Sequence, residues 1–156
     1  MFKVYLAGFI SGNKIQQCVE WRKRIVMHYH MKAWDIIWLD PINGKAIGTI
    51  TPNGFKSEIP GPAFVDRDIK CVEDCDLVIA NLDTFGESRA PTGTICEIAI
   101  TGYLHKPLII ISGDKNYVDH PWIQDFDSII VPSVDILLEK KYIDYFYKGT
   151  VTAKYE

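Results

Sequence analysis

The segment Asp76-Leu77-Val78-Ile79-Ala80-Asn81 decides the fold. A short, continuous apolar run of this kind predicts a strand buried on both faces of a sheet. Similar runs predict further strands at 3–7, 35–39, 108–111 and 128–131, and segments with apolar residues at helical spacing alternate with them at 13–30, 62–74, 94–104 and 133–145. This alternation predicts an α/β fold with a five-stranded, mainly parallel sheet that carries helices on both faces.

Length and charge limit the classes of protein that fit. The chain of 156 residues is expected to form a single domain over 1–156, and its 17 Lys and Arg against 20 Asp and Glu give a net charge of −3. That balance lacks the basic excess of a protein that binds a nucleic acid polymer. No apolar run is long enough to cross a membrane, and the N-terminus lacks the features of a secretory signal, so we expect a cytoplasmic protein.

The cysteines do not form a recognisable metal-binding pattern. Cys18, Cys71, Cys75 and Cys96 include no CxxC pair, and His28 and His30 stand two apart, on opposite sides of a helix. We therefore expect reduced thiols, no metal and no cofactor.

The predicted sheet also predicts where a ligand binds. In parallel sheets the site lies beyond the carboxyl ends of the strands, here in the loops that start at Gly8, Asp40, Leu82 and Ser112. No GxGxxG or GxxxxGK[ST] motif is present, which argues against NAD and ATP. The segment 43–60 is rich in Gly and Pro and is interpreted as an irregular loop that serves as a lid.

The most informative polar residue is Glu97. Gly93 and Thr94 are expected to begin a helix at the end of a strand, with Glu97 one turn in, where the helix dipole favours an ionised carboxylate. Such a carboxylate is a competent nucleophile toward an electrophilic carbon, for example C1 of a sugar. The alternative interpretation is that Glu97 only caps the helix.

Several motifs in this order resemble the nucleoside 2-deoxyribosyltransferase family, including the related nucleoside 5′-monophosphate N-glycosidases. They cover most of the chain: Tyr5-Leu6-Ala7-Gly8, Asp68 eight residues before Asp76, Asn81-Leu82-Asp83, Gly93-Thr94 with Glu97 three residues on, and Lys106-Pro107. The resemblance implies a flavodoxin-like (Rossmann-like) fold. It also implies that Glu97 attacks the anomeric carbon of a nucleoside, releases the base and forms a glycosyl-enzyme ester that a second base or water resolves.

The same resemblance implies roles for other residues. Tyr5 would orient Glu97, and Asp68 would contact the base and help to move its proton. The expected substrate-binding residues are Gly8, Asn81, Asp83, Ser88, Arg89, Thr92, Gly93 and Thr94. The expected partners are a small nucleoside or nucleotide and a free nucleobase, together with further copies of the chain in a dimer, tetramer or hexamer, in which Asn116, His120 or Trp122 would reach a neighbouring subunit's site.

One position departs from the pattern. The family has an aspartate six residues before the nucleophile, or a serine in the monophosphate hydrolases, whereas this chain has Pro91. Proline cannot replace either side chain as a hydrogen-bonding group. Three functions therefore stay open: deoxyribosyl transfer, hydrolysis of nucleoside 5′-monophosphates, and a non-catalytic nucleotide-binding module in which Glu97 caps a helix.

Overall fold

The computed structural model describes residues 1–10, 15–43, 49–51, 54–56, 59–126 and 128–149. Its main sheet has five strands within these ranges, in the order β2-β1-β5-β6-β7, and every neighbouring pair is parallel. The strands are β1 (Phe2–Gly8), β2 (Ile36–Leu39), β5 (Leu77–Asn81), β6 (Leu108–Ile111) and β7 (Ile129–Val131). When only the five strands of this sheet are numbered, the order is 2-1-3-4-5, which is that of the flavodoxin-like fold. The predicted fold class is therefore confirmed.

Helices cover both faces of the sheet, as predicted. They are α1 (Ile15–His30), α2 (Gly61–Asp74), α3 (Thr92–Tyr103), α4 (Lys115–Val118), α5 (Pro121–Asp125), α6 (Val134–Lys140) and α7 (Tyr142–Lys148). Side chains of β1 alternate between the two cores: Val4 and Leu6 face α1, α6 and α7, while Tyr5 and Ala7 face α2 and α3. Within the described ranges, no helix is long and apolar enough to span a bilayer.

The structure corrects three predictions about secondary structure. The last helix, predicted as one element over 133–145, is two helices, because Lys141 adopts a left-handed conformation with φ 58°. Ser133 caps the first of them as predicted, accepting a hydrogen bond from the Ile136 backbone nitrogen. The stretch between β6 and β7, taken as a loop, contains α4 and α5.

The third correction concerns 43–60. Part of this segment is an antiparallel hairpin of β3 (Thr49–Thr51) and β4 (Gly54–Lys56), so it is not wholly irregular. Alternation of apolar and polar residues is weak over strands this short, which explains the miss. The rest of the predicted lid, apart from residues near its two ends, and the first residues of the predicted 13–30 helix lie outside the described residues.

The Lys106-Pro107 motif has a structural explanation. The Lys106 ammonium group donates hydrogen bonds to the backbone oxygens of Glu73 and of Cys75, 2.7 Å away for the latter. These carbonyls lie at the C-terminal end of α2, where a cation complements the helix dipole. Lys106 thereby fixes the turn that leads from α2 into β5.

Candidate active site

Tyr5 and Glu97 form a hydrogen-bonded pair between β1 and α3. The hydroxyl group of Tyr5 donates to Oε1 of Glu97 at 2.5 Å, and the Tyr5 side chain is fully buried. Burial raises the pKa of Tyr5 far above its usual value, and the nearby charges of Glu97 and Asp68 raise it further. Tyr5 therefore stays a neutral donor at any physiological pH, and Glu97 is the acceptor.

This geometry also bears on the alternative role of Glu97. The helix begins at Thr92, with Pro91 in the N-cap position, so Glu97 is the sixth residue of α3 and lies beyond the first turn. Its side chain bonds Tyr5 on β1, and its backbone oxygen accepts from the Thr101 hydroxyl at 2.6 Å. The position is wrong for a capping box, which needs the carboxylate at the third helical residue.

Asp68 is held beside the pair by an arginine. Both Nε and Nη2 of Arg67 donate to Oδ1 of Asp68, at 3.1 and 2.8 Å, and Nη2 also reaches the Pro41 carbonyl at 3.1 Å. Because Arg67 binds both groups, the loop after β2 and the middle of α2 are fixed relative to each other. Asp68 is thus oriented by a neighbour that is adjacent in sequence.

A cleft of about 320 Å³ lies at the carboxyl ends of β1 and β2, between these groups. It brings together seven of the residues predicted for the site: Gly8, Asp68, Arg89, Thr92, Gly93, Thr94 and Glu97. Tyr5 is buried beneath it. The lining also includes Phe9, Ile10, Pro41 and Ala90, which sequence reasoning missed. The first three could have been found, because each follows a predicted strand within three residues.

Other predicted residues lie elsewhere. Asn81 and Asp83 line a separate cleft, of about 550 Å³, on the α1 and α6 side of the sheet. There Asn81 accepts from the Asp83 backbone nitrogen and Asp83 from that of Phe85, so both side chains build the turn after β5. Ser88 is exposed in the loop before α3, outside the described lining of the Glu97 cleft.

The three residues predicted to reach a neighbouring subunit lie together in a groove between α3, α4 and α5. Asn116, His120 and Trp122 line this apolar groove together with residues of α3 and α5 such as Ile95 and Ile123. Trp122 is 70% exposed, and Tyr103, near the groove, is 83% exposed. The groove lies on α4 and α5, away from the face of α3 that carries Glu97, and within this chain these three residues do not line the cleft.

Pro91 is buried at the start of α3 and lies outside the described lining of the cleft. Its carbonyl accepts from the Ile95 backbone nitrogen at 3.0 Å, the first bond of the helix. Proline fits the first positions of a helix because its backbone angle is already suitable. In this chain the position therefore serves the helix start. Among the described residues no three His, Cys, Asp or Glu side chains are grouped as a metal site requires.

Comparison with known proteins gives evidence on the fold. No family model and no curated protein sequence matches the chain. Among solved structures, a 2-desoxiribosyltransferase from Leishmania mexicana matches with a TM-score of 0.56 and 18% identity, over 97% of this chain and 100% of the other. A CMP N-glycosidase from Clostridium botulinum matches with a TM-score of 0.54 and 17% identity, over 92% and 98%. The chain thus shares its fold with one enzyme of each kind that its motifs resemble.

Proposed function

We propose that the protein is a nucleoside 2-deoxyribosyltransferase that works by double displacement through Glu97. The observation that carries the proposal is the 2.5 Å hydrogen bond from buried Tyr5 to Glu97 at the edge of a cleft that Asp68 also lines. A carboxylate oriented in this way, in a cleft beyond the carboxyl end of β1, suits attack on a sugar carbon. The fold shared with a 2-desoxiribosyltransferase supports the same conclusion.

In the first step a carboxylate oxygen of Glu97 forms a bond to the anomeric carbon. The glycosidic C–N bond breaks, and the departing base keeps its electron pair and takes a proton. In the second step a ring nitrogen of an acceptor base attacks the same carbon, the ester C–O bond breaks, and Glu97 returns to a carboxylate. The acceptor loses its N–H proton, so the two half-reactions balance.

Two neighbours assist these steps. Tyr5, as a neutral donor, fixes one oxygen of Glu97 and stabilises the carboxylate when the ester is cleaved. Asp68 lines the same cleft, in position to contact the base and pass a proton to and from its ring nitrogen. Arg67 orients Asp68 for that role.

A second candidate function is hydrolysis of nucleoside 5′-monophosphates. It is favoured by Arg89, which lines the cleft beside Thr92 and Gly93 at the start of α3. A guanidinium group and a helix N-terminus both favour phosphate. In this reaction water replaces the acceptor base in the second step. The fold shared with a CMP N-glycosidase also supports this candidate.

We also propose that copies of the chain associate through the apolar groove between α3, α4 and α5 that Trp122 lines. Trp122, which lines the groove, and Tyr103, beside it, expose large aromatic surfaces that contact with a second copy would remove from water. In such an assembly Asn116, His120 or Trp122 of one copy would reach the cleft of a neighbouring copy. The resemblance to the nucleoside 2-deoxyribosyltransferase family implies the same kind of association.

One experiment tests the enzymatic proposals. The protein is incubated with deoxynucleosides and with nucleoside 5′-monophosphates, with and without a free acceptor base, and the products are separated by chromatography. Base exchange supports transfer, and free sugar or sugar phosphate supports hydrolysis. A Glu97→Gln variant should lose at least about a hundredfold in rate, whereas Glu73→Gln, an exposed carboxylate on α2, should not. The absence of turnover on every substrate would refute both reactions and leave the binding module.

A further inference from the structure

A buried arginine lies behind the Tyr5–Glu97 pair. Arg22, on α1, is only 1% exposed, and an arginine is almost never so buried unless its donors are paired. Nη2 donates to the carbonyl oxygens of Gly8, at 3.2 Å, and Leu6, at 3.4 Å, and Nη1 donates to that of Cys18 at 2.5 Å. Arg22 therefore binds the part of β1 that immediately follows Tyr5.

Gly8 is the residue that allows this approach. A Cβ atom at Gly8 would lie 2.7 Å from Cζ2 of Trp21 and 3.1 Å from Nη2 of Arg22. The Arg22 guanidinium also lies 4.5 Å from the centre of the Trp21 ring. The glycine that ends the Tyr5-Leu6-Ala7-Gly8 motif is thus required for α1 to place its arginine against the strand end.

The same arginine also holds the next strand. Its Nε lies 3.3 Å from Oδ1 of Asp40, which directly follows β2. Pro41, the next residue, lines the cleft and accepts a hydrogen bond from Arg67, the partner of Asp68. Arg22 thus forms an ion pair with Asp40, and Arg67 a hydrogen bond with the adjacent Pro41. These contacts connect the cleft wall that carries Asp68 to the helix that holds the end of β1.

We propose that Arg22 is a positioning residue for the reaction at Glu97: it fixes the strand ends that form the cleft, and it supplies a buried positive charge that favours the carboxylate form of Glu97. The inference rests on the proposed function, in which that carboxylate is the nucleophile. Burial lowers the pKa of Arg22, and the negative charges of Asp40 and Glu97 oppose that change, so the group stays charged. By the same attraction the guanidinium favours the carboxylate form of Glu97.

The ionisation of Glu97 depends on charged groups from several elements. The positive groups are Arg22 on α1 and Arg89 in the cleft wall, and the Tyr5 hydroxyl on β1 also favours the carboxylate because it donates a hydrogen bond to it. The groups whose negative charge would oppose ionisation are Asp68 and, as a thiolate, Cys71 on α2, and Asp40 after β2. Asp68 is paired with Arg67, and Asp40 offsets part of the charge of Arg22. Removing Arg22 should therefore leave an excess of negative charge around Glu97, whereas removing the charge of Asp40 should have the opposite effect.

The test follows the titration of the Glu97 carboxyl carbon by ¹³C NMR, with the signal assigned from its absence in Glu97→Gln. In Arg22→Gln, which removes the charge but keeps a donor, the midpoint should rise by about one pH unit. Arg22→Lys should restore it, and Asp40→Asn should lower it. Arg24→Gln, the same charge change on the outer side of α1, is the matched control and should leave the midpoint unchanged.

The acid limb of the pH profile of kcat should move with the NMR midpoint, because only the carboxylate attacks. An unchanged midpoint in Arg22→Gln, accompanied by a lower kcat, would overturn the electrostatic part of the proposal and leave Arg22 as a packing residue. If Arg22→Gln does not fold, the Arg22→Lys and Asp40→Asn variants still test the proposal. A Glu97 titration midpoint that is unchanged in Asp40→Asn contradicts it. A shifted midpoint in a protein without turnover would support the role of Arg22 while refuting the proposed function.

Discussion

The hydroxyl oxygen of Tyr5 lies 2.5 Å from Oε1 of Glu97, although the two residues are 92 positions apart in the chain. The contact joins β1 to α3 through a tyrosine that is fully buried and therefore cannot rotate away. A carboxylate on a surface helix has many rotamers, and this bond removes most of them. The orientation of Glu97 is thus set by the folded core rather than by substrate.

Tyr5→Phe tests that relationship. The phenyl ring keeps the packing, but Glu97 loses a hydrogen bond to a charged acceptor, which is worth about 1.5–3 kcal/mol. We expect kcat to fall about 10- to 100-fold. The control is Tyr29→Phe, because Tyr29 is also buried and donates to a carboxylate, Asp144, at 2.6 Å, outside the cleft. Equal losses of kcat in both variants would show that the effect is only structural.

Gly8→Ala should damage the site through α1. The added methyl group would lie 2.7 Å from the Trp21 ring, so the helix or the strand end must move, at a cost of about 1–3 kcal/mol. We expect a lower urea midpoint and a loss of activity. Gly93→Ala is the matched control, because a Cβ there meets no described heavy atom within 4 Å and alanine favours a helix. Its urea midpoint should be equal to or higher than that of the original chain.

The sequence was sufficient for the sheet and for much of the cleft. Strands such as Leu77–Asn81 are continuous apolar runs, and the rule that ligands bind at the carboxyl ends of such strands led to Gly8 and to the start of α3. The structure brings Gly8, Thr94 and Glu97 into one cleft. Asn81 follows the same rule but faces the other side of the sheet. It continues the alternation of Leu77 and Ile79, which face α1 and α6. Because the whole strand is apolar, its residue types do not show which alternate positions face which side of the sheet.

The role of Arg22 was beyond sequence reasoning for a related reason. It occupies an apolar-stripe position of α1, which is a signal of burial, but its acceptors are backbone oxygens of Leu6 and Gly8. Every residue type has a backbone carbonyl oxygen, so the sequence does not show which of them accept a hydrogen bond from Arg22. The break at Lys141 was missed because a left-handed lysine carries no glycine or asparagine signature.

Association through the apolar groove is tested by changing Trp122. We expect the original chain to sediment as an oligomer and Trp122→Asp to shift it to a smaller species, because a buried, unpaired carboxylate is costly at an interface. Tyr145→Asp, an equally exposed aromatic residue on α7, is the control. A chain that sediments as a monomer at every concentration contradicts the proposal.

Asp144 should make the stability of the protein dependent on acid pH. Its carboxylate accepts from the Tyr29 hydroxyl at 2.6 Å and from the Lys32 ammonium at 2.9 Å, which fastens α7 to α1. Burial alone would raise the pKa of Asp144, but the bonds from Tyr29 and Lys32 outweigh it, so the pKa lies below its usual value. The stabilisation is therefore complete above the unfolded pKa of about 3.9 and is lost as the pH falls through the lower folded value.

Asp144→Asn removes that dependence. At pH 7 we expect the variant to be less stable by about 1–3 kcal/mol, measured by urea unfolding, because the ion pair and one charged acceptor are lost. As the pH falls below about 4, the original chain loses this advantage and the two free energies of unfolding converge. Asp135→Asn, which breaks an exposed pair with Arg24, should cost less than about 1 kcal/mol. If the difference between Asp144→Asn and the original chain is the same at pH 7 and pH 3, the Asp144 carboxylate does not carry the link between α7 and α1.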